Sequence, residues 1–433
     1  MTENISHYPL HWTSKPLGVI SSLRSETGYP KEELLSVYLD RGVVLFSDVD
    51  EKRTNATSSD LSGYQLVEVG DFVLNNQQAW RGSVGVSFYR GIVSPAYLVL
   101  RLSDELHPNF ANYMFRNRDM VGHFVICSKG VGTIQRNLYW PQVKRMPVVY
   151  PDLPEQKAIS NLLDQKTTQI DKTIRVKEQQ ITLLKERKQI LIQNAVTRGL
   201  NPETPMRDSK FEWIGEIPAH WDVMANRALF AERVEPGREG LPLLSVSIHS
   251  GVSEEEVSEE ENVRGRVKIA DKTKYNLVRP GDIAFNMMRA WQGAIGEVRT
   301  EGMISPAYTI AMPSQKIVPK FFEYQYRTPI FIQQMDRNSK GITDFRKRLY
   351  WDGFKQLITL VPPIEEQGAI VEYIDREVAK QDRAVSLLDQ QITKLKEYKA
   401  TMINSAVTGK IKVPGVVEPV QGMNEPEARE VCQ

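Results

Sequence analysis

Apolar residues recur at alternating steps of four and three along two stretches of the chain, each with polar positions between them. The first stretch covers residues 152–198 and the second covers 363–409. This spacing is the heptad pattern of a coiled coil, in which a partner helix covers one narrow apolar stripe. The expected seam residues are Ile170, Ile174, Ile181, Leu184 and Leu191 in the first stretch, and Val385, Leu388, Ile392, Leu395 and Met402 in the second.

The two stretches are copies of each other. Adding 211 to a residue number in the first gives its mate in the second, without a gap. Each would form a helix about 66 Å long at about 1.5 Å per residue. Two helices of equal length with matched seams would cover each other. The alternative is that each helix packs on its own domain, but so narrow a stripe favours the helix pair.

The segments that precede the helices also repeat. His11-Trp12 matches His220-Trp221 at an offset of 209, and from Tyr275 onward the offset is 211. Strand-like runs separated by turn residues predict a mixed domain. In the first copy these runs are Gly42–Phe46, Tyr64–Val69, Asp71–Leu74, Ile92–Leu102 and Pro147–Tyr150, with a helix after Pro108. A repeat this long indicates two copies of one domain-plus-helix unit.

The linker between the copies determines the direction of the helices. It has 13 residues, from Arg198 to Lys210, and spans at most about 47 Å when extended. It is too short to return along a helix of about 66 Å. The sequence therefore predicts an α+β fold, with two mixed α/β domains in pseudo-twofold repeat joined by two long antiparallel coiled-coil helices. The predicted parts are domain 1 (1–151), helix 1 (152–198), a linker (199–210), domain 2 (211–362), helix 2 (363–409) and a disordered tail (410–433).

The composition is that of a soluble protein. Of the 433 residues, 41% are hydrophobic and 25% are charged, and the net charge is +1. No apolar run approaches the length of a membrane span, and the amino terminus lacks the pattern of a secretory signal. With two cysteines, one in the tail, we expect a reducing, cytoplasmic location. If the chain binds DNA, its positive charge must be local.

No catalytic constellation is visible in the sequence. There is no Gly-rich phosphate loop followed by Lys-Ser/Thr, no His-Glu-x-x-His or paired Cys-x-x-Cys, and no Asn/Asp-Pro-Pro-Tyr/Phe aminomethylase signature. Asp152 and Glu155 resemble part of a nuclease box, but they lie three residues apart at a helix start, where the helix dipole accounts for them. We therefore expect no catalytic residue, no metal and no cofactor in this chain.

Two loops in each copy have the composition of a DNA-binding surface. In the first loop the candidates are Asn75, Gln77, Gln78 and Arg81, with Asn286, Arg289 and Gln292 in the second copy. Asn and Gln can pair with adenine, and Arg with guanine, in the major groove. A polar strand end is the alternative interpretation. The matched Trp80 and Trp291 are expected to be mainly core residues.

The second loop is basic and contains glycine, as phosphate contacts require. Its candidates are Lys129, Gln135 and Arg136 in the first copy, and Lys340, Arg346, Lys347 and Arg348 in the second. A solvated charged face is the ordinary interpretation of such a run. The presence of a matching loop in the other copy favours a function.

The order of these parts resembles the specificity (S) subunit of Type I restriction-modification systems. The resemblance covers about residues 10–412. It rests on two variable domains, each followed by a helix that begins with a Pro-x-x-Glu-Gln-like stretch (Leu153–Gln156 and Ile364–Gln367), and on the entry to the second domain (Asp208–Trp221).

The resemblance implies that each domain is a target recognition domain that binds one half of a split double-stranded DNA site. It implies that the paired helices set the spacer and dock two methyltransferase (M) subunits, which restriction (R) subunits join. S-adenosylmethionine would bind the M subunits, and ATP and Mg would bind the R subunit. The alternatives are a coiled-coil protein-interaction scaffold without sequence-specific DNA binding, and a fused enzyme whose catalytic site is not recognisable.

Overall fold

The computed structural model describes residues 8–39, 41–48, 60–131, 135–254, 271–314, 317–341 and 347–414. The chain separates into two compact units: unit 1 comprises Met1–Lys177 and Gln390–Gln433, and unit 2 comprises Glu178–Asp389. Each unit contains one globular domain, the first part of the long helix that follows it and the last part of the other long helix. The predicted disordered tail lies outside the described residues from residue 415 onward.

Unit 1 contains twelve short strands in its described residues. They are β1 (Thr13–Pro16), β2 (Ser21–Leu23), β3 (Leu35–Tyr38), β4 (Gly42–Leu45), β5 (Gln65–Val67), β6 (Phe72–Asn75), β7 (Val84–Val86), β8 (Gly91–Val93), β9 (Tyr97–Leu102), β10 (Ser128–Val131), β11 (Gln135–Leu138) and β12 (Pro147–Tyr150). The helices are α1 (Pro108–Phe115), α2 (Arg118–Ile126), α3 (Trp140–Val143) and the long α4 (Leu153–Arg198), which continues into unit 2.

Unit 2 has the corresponding strands and helices in nearly the same order. Its strands are β13 (Met206–Asp208), β14 (Glu216–Pro218), β15 (Asp222–Ala225), β16 (Phe230–Glu232), β17 (Leu244–Ser247), β18 (Gly251–Glu254), β19 (Asn276–Val278), β20 (Ile283–Asn286), β21 (Ile295–Glu297), β22 (Gly302–Ile304), β23 (Tyr308–Pro313) and β24 (Ile358–Val361). Its helices are α5 (Pro319–Tyr326), α6 (Pro329–Arg337), α7 (Trp351–Phe354) and the long α8 (Ile364–Val407), which continues into unit 1.

The two units share most of their sheet topology, although the β10-β11 pair of unit 1 corresponds to a single bridge between Lys340 and Arg348 in the described part of unit 2. A four-stranded sheet has the order β2-β9-β6-β7 in unit 1 and β16-β23-β20-β21 in unit 2. The pairs β3-β4, β5-β8 and β1-β12 of unit 1 recur as β17-β18, β19-β22 and β15-β24, and all of these pairs are antiparallel. One pair without a mate in the described part of unit 1 is β13-β14. Since β13 lies inside the segment 199–210, part of the predicted linker is a strand.

The main core of each unit includes residues from both long helices. In unit 1, Ile159 and Leu163 of α4 and Ala406 and Val407 of α8 join the aromatic core around Phe72. In unit 2 the roles are exchanged: Ala195 and Val196 near the end of α4, and Ile370 and Ile374 near the start of α8, join the core that includes Phe285 and Phe354. The long helices are therefore anchored by burial at their ends.

The long helices run antiparallel within each unit. In unit 1, the Lys399 ammonium binds both carboxylate oxygens of Asp171 at 2.6 and 2.7 Å. Lys177, later on α4, donates to Gln391, earlier on α8, at 2.6 Å. In unit 2, Lys188 binds Asp382 at 2.7 Å. Adding 211 to Asp171 and Lys188 gives Asp382 and Lys399, so the two ion pairs occupy equivalent positions of the repeat. The repeat is therefore present in the helix pairing as well as in the sequence.

The expected seam residues are covered to different degrees. Ile170, Ile174, Ile181 and Ile392 are buried, and the other six are partly buried. A different set of apolar residues on α4 is exposed. Val176, Leu183 and Ile190 have 45%, 63% and 60% of their surface exposed. They recur every seventh residue, so they lie on one side of the helix. This set is called the outer stripe below.

Candidate nucleic-acid interface

The loop after β6 has the same shape as the loop after β20, and its shape comes from side chains that the two copies share. The Asn75 Oδ1 accepts a hydrogen bond from the Gln77 backbone at 3.1 Å. The Asn286 Oδ1 accepts one from the Met288 backbone at 3.0 Å. Asn286 is buried and Asn75 is partly buried. The sequence predicts that both asparagines contact bases. In the structure, their side chains instead form hydrogen bonds within their own loops.

The two tryptophans close these loops from outside the core. The Trp80 indole donates to the Gln77 carbonyl, and the Trp291 indole donates to the Met288 carbonyl, each at 2.9 Å. Both rings are partly exposed, whereas the sequence predicts core residues; the preceding alanines occupy the core instead. Gly82 and Gly293 then end the turn at φ values of 104° and 94°, a conformation that L side chains rarely adopt.

Four positions differ between the two loops, and one of them, Asn76 and its mate Met287, is partly buried in both units. The other three are Gln77, Gln78 and Arg81 in unit 1, with Met288, Arg289 and Gln292 at the same positions in unit 2. Gln78 is partly buried, and the other five are exposed. One loop geometry therefore presents two chemically different sets of side chains.

The second predicted loop lies beside the first in each unit. In unit 1, the Leu138 backbone at the end of β11 donates to the Asn76 carbonyl at 3.0 Å. In unit 2, the Leu349 backbone donates to the Met287 carbonyl at 2.8 Å. The structure thus joins the two separately predicted loops into one continuous surface in each unit. We call this surface the candidate interface.

Aromatic rings hold the cations of the unit 1 interface. The guanidinium carbons of Arg81 and Arg136 lie 4.8 and 5.8 Å from the Trp80 ring centroid. The Lys129 ammonium lies 4.1 Å from the ring centroid of Tyr139, which is 43% exposed. Such contacts restrict long side chains without neutralising them. Sequence reasoning missed the roles of Trp80 and Tyr139, although both recur in the other copy.

The unit 2 interface has a different charge balance. Lys347, the mate of Arg136, lies 5.2 Å from the Trp291 ring centroid, and its ammonium also binds the Asp336 carboxylate at 2.7 Å. The position that matches Asp336 in unit 1 is Val125. Lys340 is exposed, and its backbone pairs with that of partly buried Arg348. Arg346 and the side chain of Gln135 lie outside the described residues.

Replacing the carboxylate beside Lys347 is expected to strengthen DNA binding. Asp336→Asn removes the negative charge that lies 2.7 Å from the Lys347 ammonium, so the affinity for DNA should rise a few-fold and the salt slope should steepen by about one. Titrations at several salt concentrations measure both. Glu301→Gln makes the same charge change at the opposite end of the β20-β21 hairpin and should alter neither. An unchanged slope in Asp336→Asn would remove Lys347 from the DNA contact.

Comparisons with known proteins agree with the resemblance seen in the sequence. The specificity subunit of the Type I restriction enzyme EcoBI of Escherichia coli is 26% identical over 278 residues, which cover 60% of this chain and 57% of that subunit. The match thus spans just over half of that relative. The specificity subunit of the enzyme EcoKI of Escherichia coli K12 is 20% identical over 433 residues, which cover 93% of this chain and 90% of that subunit. The chain is similar to specificity subunits of Type I restriction enzymes. No protein-family model matches it.

Solved structures confirm the fold class. A chain from a structure concerned with complex assembly and conformational transition in a type I restriction-modification system has a TM-score of 0.65 at 13% identity, over 93% of this chain and 99% of that one. The HsdS subunit of Thermoanaerobacter tengcongensis has a TM-score of 0.54 at 14% identity, over 95% of this chain and 100% of that one. The α+β architecture with paired long helices is therefore shared.

Within the described ranges of the chain, no helix combines the length and apolar character that crossing a membrane requires. The same ranges bring together no three His, Cys, Asp or Glu side chains that could hold a metal ion.

Proposed function

We propose that this chain is the DNA sequence-specificity subunit of a Type I restriction-modification complex, and that it has no catalytic activity of its own. The observation that carries the proposal is the duplicated domain-plus-helix architecture in a chain that is similar to the EcoKI specificity subunit along 93% of its length. Each globular domain binds one half of a bipartite site in double-stranded DNA. The chemistry belongs to partner subunits in the cytoplasm, where no membrane is involved.

The candidate interfaces support this function through a division of roles. Cations held on aromatic rings, such as Arg136 on Trp80, suit contacts to phosphates, which position a protein without specifying sequence. The exposed residues that differ between the loops suit contacts to base edges. Two unlike sets of side chains on one loop geometry are what two unlike half-sites require.

The paired helices are proposed to set the spacer between half-sites and to dock two M subunits. S-adenosylmethionine would bind those M subunits, and ATP and Mg would bind R subunits that join them. This chain would bind none of these cofactors. The outer stripe on α4 supports docking, because exposed apolar residues at heptad spacing form a surface that a partner helix can cover.

Polar replacement of the outer stripe is expected to weaken association with the M subunit. The triple variant Val176→Ser, Leu183→Ser, Ile190→Ser removes three apolar side chains, each worth about 1–2 kcal/mol when buried, so the Kd should rise on the order of 100-fold or more. Titration calorimetry with purified M subunit measures it. A control variant with Val19, Val69 and Val234 changed to Ser removes exposed apolar residues from the globular domains and should bind normally. Equal binding by both variants would contradict docking on the stripe.

Selection of DNA from a random-sequence pool by the assembled complex of this chain and M subunits tests the function as a whole. We expect recovery of two unlike half-sites separated by an unread spacer of fixed length. Recovery of no common sequence would contradict the proposed function.

A further inference from the structure

One glutamate at the start of each long helix binds two side chains from the first segment of the adjoining globular domain. In unit 1, the Glu155 carboxylate contacts the His11 Nε2 at 2.9 Å and accepts from the Trp12 indole at 3.2 Å. In unit 2, the Glu366 carboxylate contacts His220 at 2.7 Å and accepts from the Trp221 indole at 3.1 Å. We call each of these three-residue groups a clasp.

The tryptophan of each clasp is fixed within its globular domain. Trp12 is 7% exposed and lies edge-on to Phe110 of α1, with ring centroids 6.4 Å apart. Trp221 is 1% exposed and lies edge-on to Phe321 of α5 at 6.3 Å. The indole N–H that reaches the glutamate is therefore rigidly held, and the carboxylate is bound to the domain core rather than to a loose surface group.

The other long helix ends against the same clasp. In unit 1, a Cβ added at Gly409, just after α8, would lie 2.4 Å from Pro9 and 3.2 Å from Trp12. In unit 2, a Cβ added at Gly199, just after α4, would lie 3.0 Å from the Glu366 carboxylate and 3.4 Å from Trp221. Each clasp thus gathers the globular domain, the start of one long helix and the end of the other.

The residue after each glutamate reinforces the junction from inside the core. The Gln156 side chain is fully buried, donates to the Pro151 and Glu105 carbonyls at 2.8 Å and accepts from the His107 backbone at 2.7 Å. Gln367 is also fully buried and makes the matching contacts to Pro362 and Val318 at 2.8 and 2.7 Å. These bonds hold the first helical turn in place.

A tyrosine makes a further contact about two turns along each helix. The Tyr113 hydroxyl donates to Asp164 of α4 at 2.7 Å, and Tyr324 donates to Asp375 of α8. Burial, together with the Asp164 carboxylate, raises the pKa of Tyr113 to about 12. The domain is thus tied to its helix at two levels, which resists tilting.

We propose that Glu155 and Glu366 are positioning residues that fix the direction in which each globular domain is held on the helices, and thereby restrict the complex to one spacer length. This inference rests on the proposed function. Adding one base pair turns a half-site by about 36° around the duplex, since about ten base pairs make one turn. A rigidly held domain cannot follow that rotation, whereas a loosened one can.

The experiment compares complexes containing M subunits and either the wild-type chain or Glu155→Ala, Glu366→Ala. The DNA carries both half-sites separated by the wild-type spacer or by one base pair more or less. We expect the preference of the double variant for the wild-type spacer to fall about tenfold, equivalent to about 1.4 kcal/mol. Binding of an isolated half-site should change less than threefold, about 0.65 kcal/mol.

Three further variants separate positioning from folding. Glu365→Ala removes an exposed acid from the same helical turn as Glu366 and should retain the strict spacer. The double variant Glu155→Gln, Glu366→Gln should show the strict spacer of the wild-type chain, because an amide can accept from the indole and donate to a neutral imidazole. His11→Ala, His220→Ala removes only the partly exposed partners and should relax the spacer to an intermediate degree.

The outcomes distinguish this inference from the function on which it rests. A wild-type complex that selects no split site would refute both. Suppose instead that the wild-type complex has a strict spacer, and that both Glu155→Ala, Glu366→Ala and His11→Ala, His220→Ala retain that spacer preference. This outcome would refute the positioning role alone, even if the Tm of the variants had fallen. A relaxed spacer with near-normal binding of an isolated half-site would support it.

Discussion

Exchanging three residues of the unit 1 loop for their mates in unit 2 is expected to change the DNA half-site that this chain selects. The graft is Gln77→Met, Gln78→Arg and Arg81→Gln. Each mismatched base pair costs about 1–3 kcal/mol, so the original half-site should lose on the order of 10²-fold or more in affinity if two base pairs are affected. Binding selection and sequencing of methylated sites both measure the change.

The graft separates a change in DNA recognition from a loss of folding, because the loop geometry does not depend on the exchanged side chains. The Asn75 side chain, the Trp80 indole and Gly82 set the turn in unit 1, and their mates make the same bonds in unit 2. The grafted side chains should therefore be presented on an intact loop. We expect an unchanged Tm together with a changed half-site, a combination that a general loss of folding would not produce.

A matched exchange at the other end of the same strands provides the control. Phe88 and Tyr89 follow β7 and are exposed, and their mates in unit 2 are Arg299 and Thr300. Phe88→Arg with Tyr89→Thr alters exposed residues away from the candidate interface and should leave the half-site unchanged. If this control altered the half-site and the loop graft did not, the reading surface would lie at the other end of the strands.

The large features of this fold could be predicted from sequence because they depend on periodicity and repetition. The heptad pattern and the 211-residue shift predict two long helices, and α4 and α8 end within two residues of the predicted bounds. The bounds of the short strands are less well predicted. The run Ile92–Leu102 predicts one strand, but Ser94-Pro95-Ala96 separates β8 from β9. Proline lacks the N–H that a ladder needs, so the chain turns there.

The candidate interface shows where sequence reasoning ends. Composition could nominate the polar residues of each loop, but it could not show that the Asn75 side chain supports its own loop. Nor could it show that Lys347 has Asp336 as a partner, because the two lie on different elements. The Glu-Gln pair at each helix start was visible as a motif. The motif alone does not show that the glutamate forms a clasp or that the glutamine side chain is buried.

Deleting one matched heptad from both long helices is expected to shorten the spacer by about three base pairs. Lys188 lies seventeen positions after Asp171 on α4, and Lys399 lies seventeen positions after Asp382 on α8. Deleting Lys177–Leu183 and Leu387–Thr393 between these pairs keeps both ion pairs and the heptad phase. Seven residues correspond to about 10 Å of helix, or about three base pairs at about 3.4 Å each. Sequencing of methylated DNA measures the new spacer.

The same deletion should also weaken DNA binding. It shortens the distance between the two domains by about three base pairs, but it does not rotate the domains by the angle that three base pairs require. A heptad alters the direction of a helix face by only about 20°, whereas three base pairs turn a half-site by about 100°. The complex must therefore twist or bend the duplex, at a cost of about 1–6 kcal/mol. Deleting the heptad from one helix alone breaks the pairing register and should abolish site-specific binding. An active double-deletion complex that retains the original spacer would show that something other than helix length sets the distance.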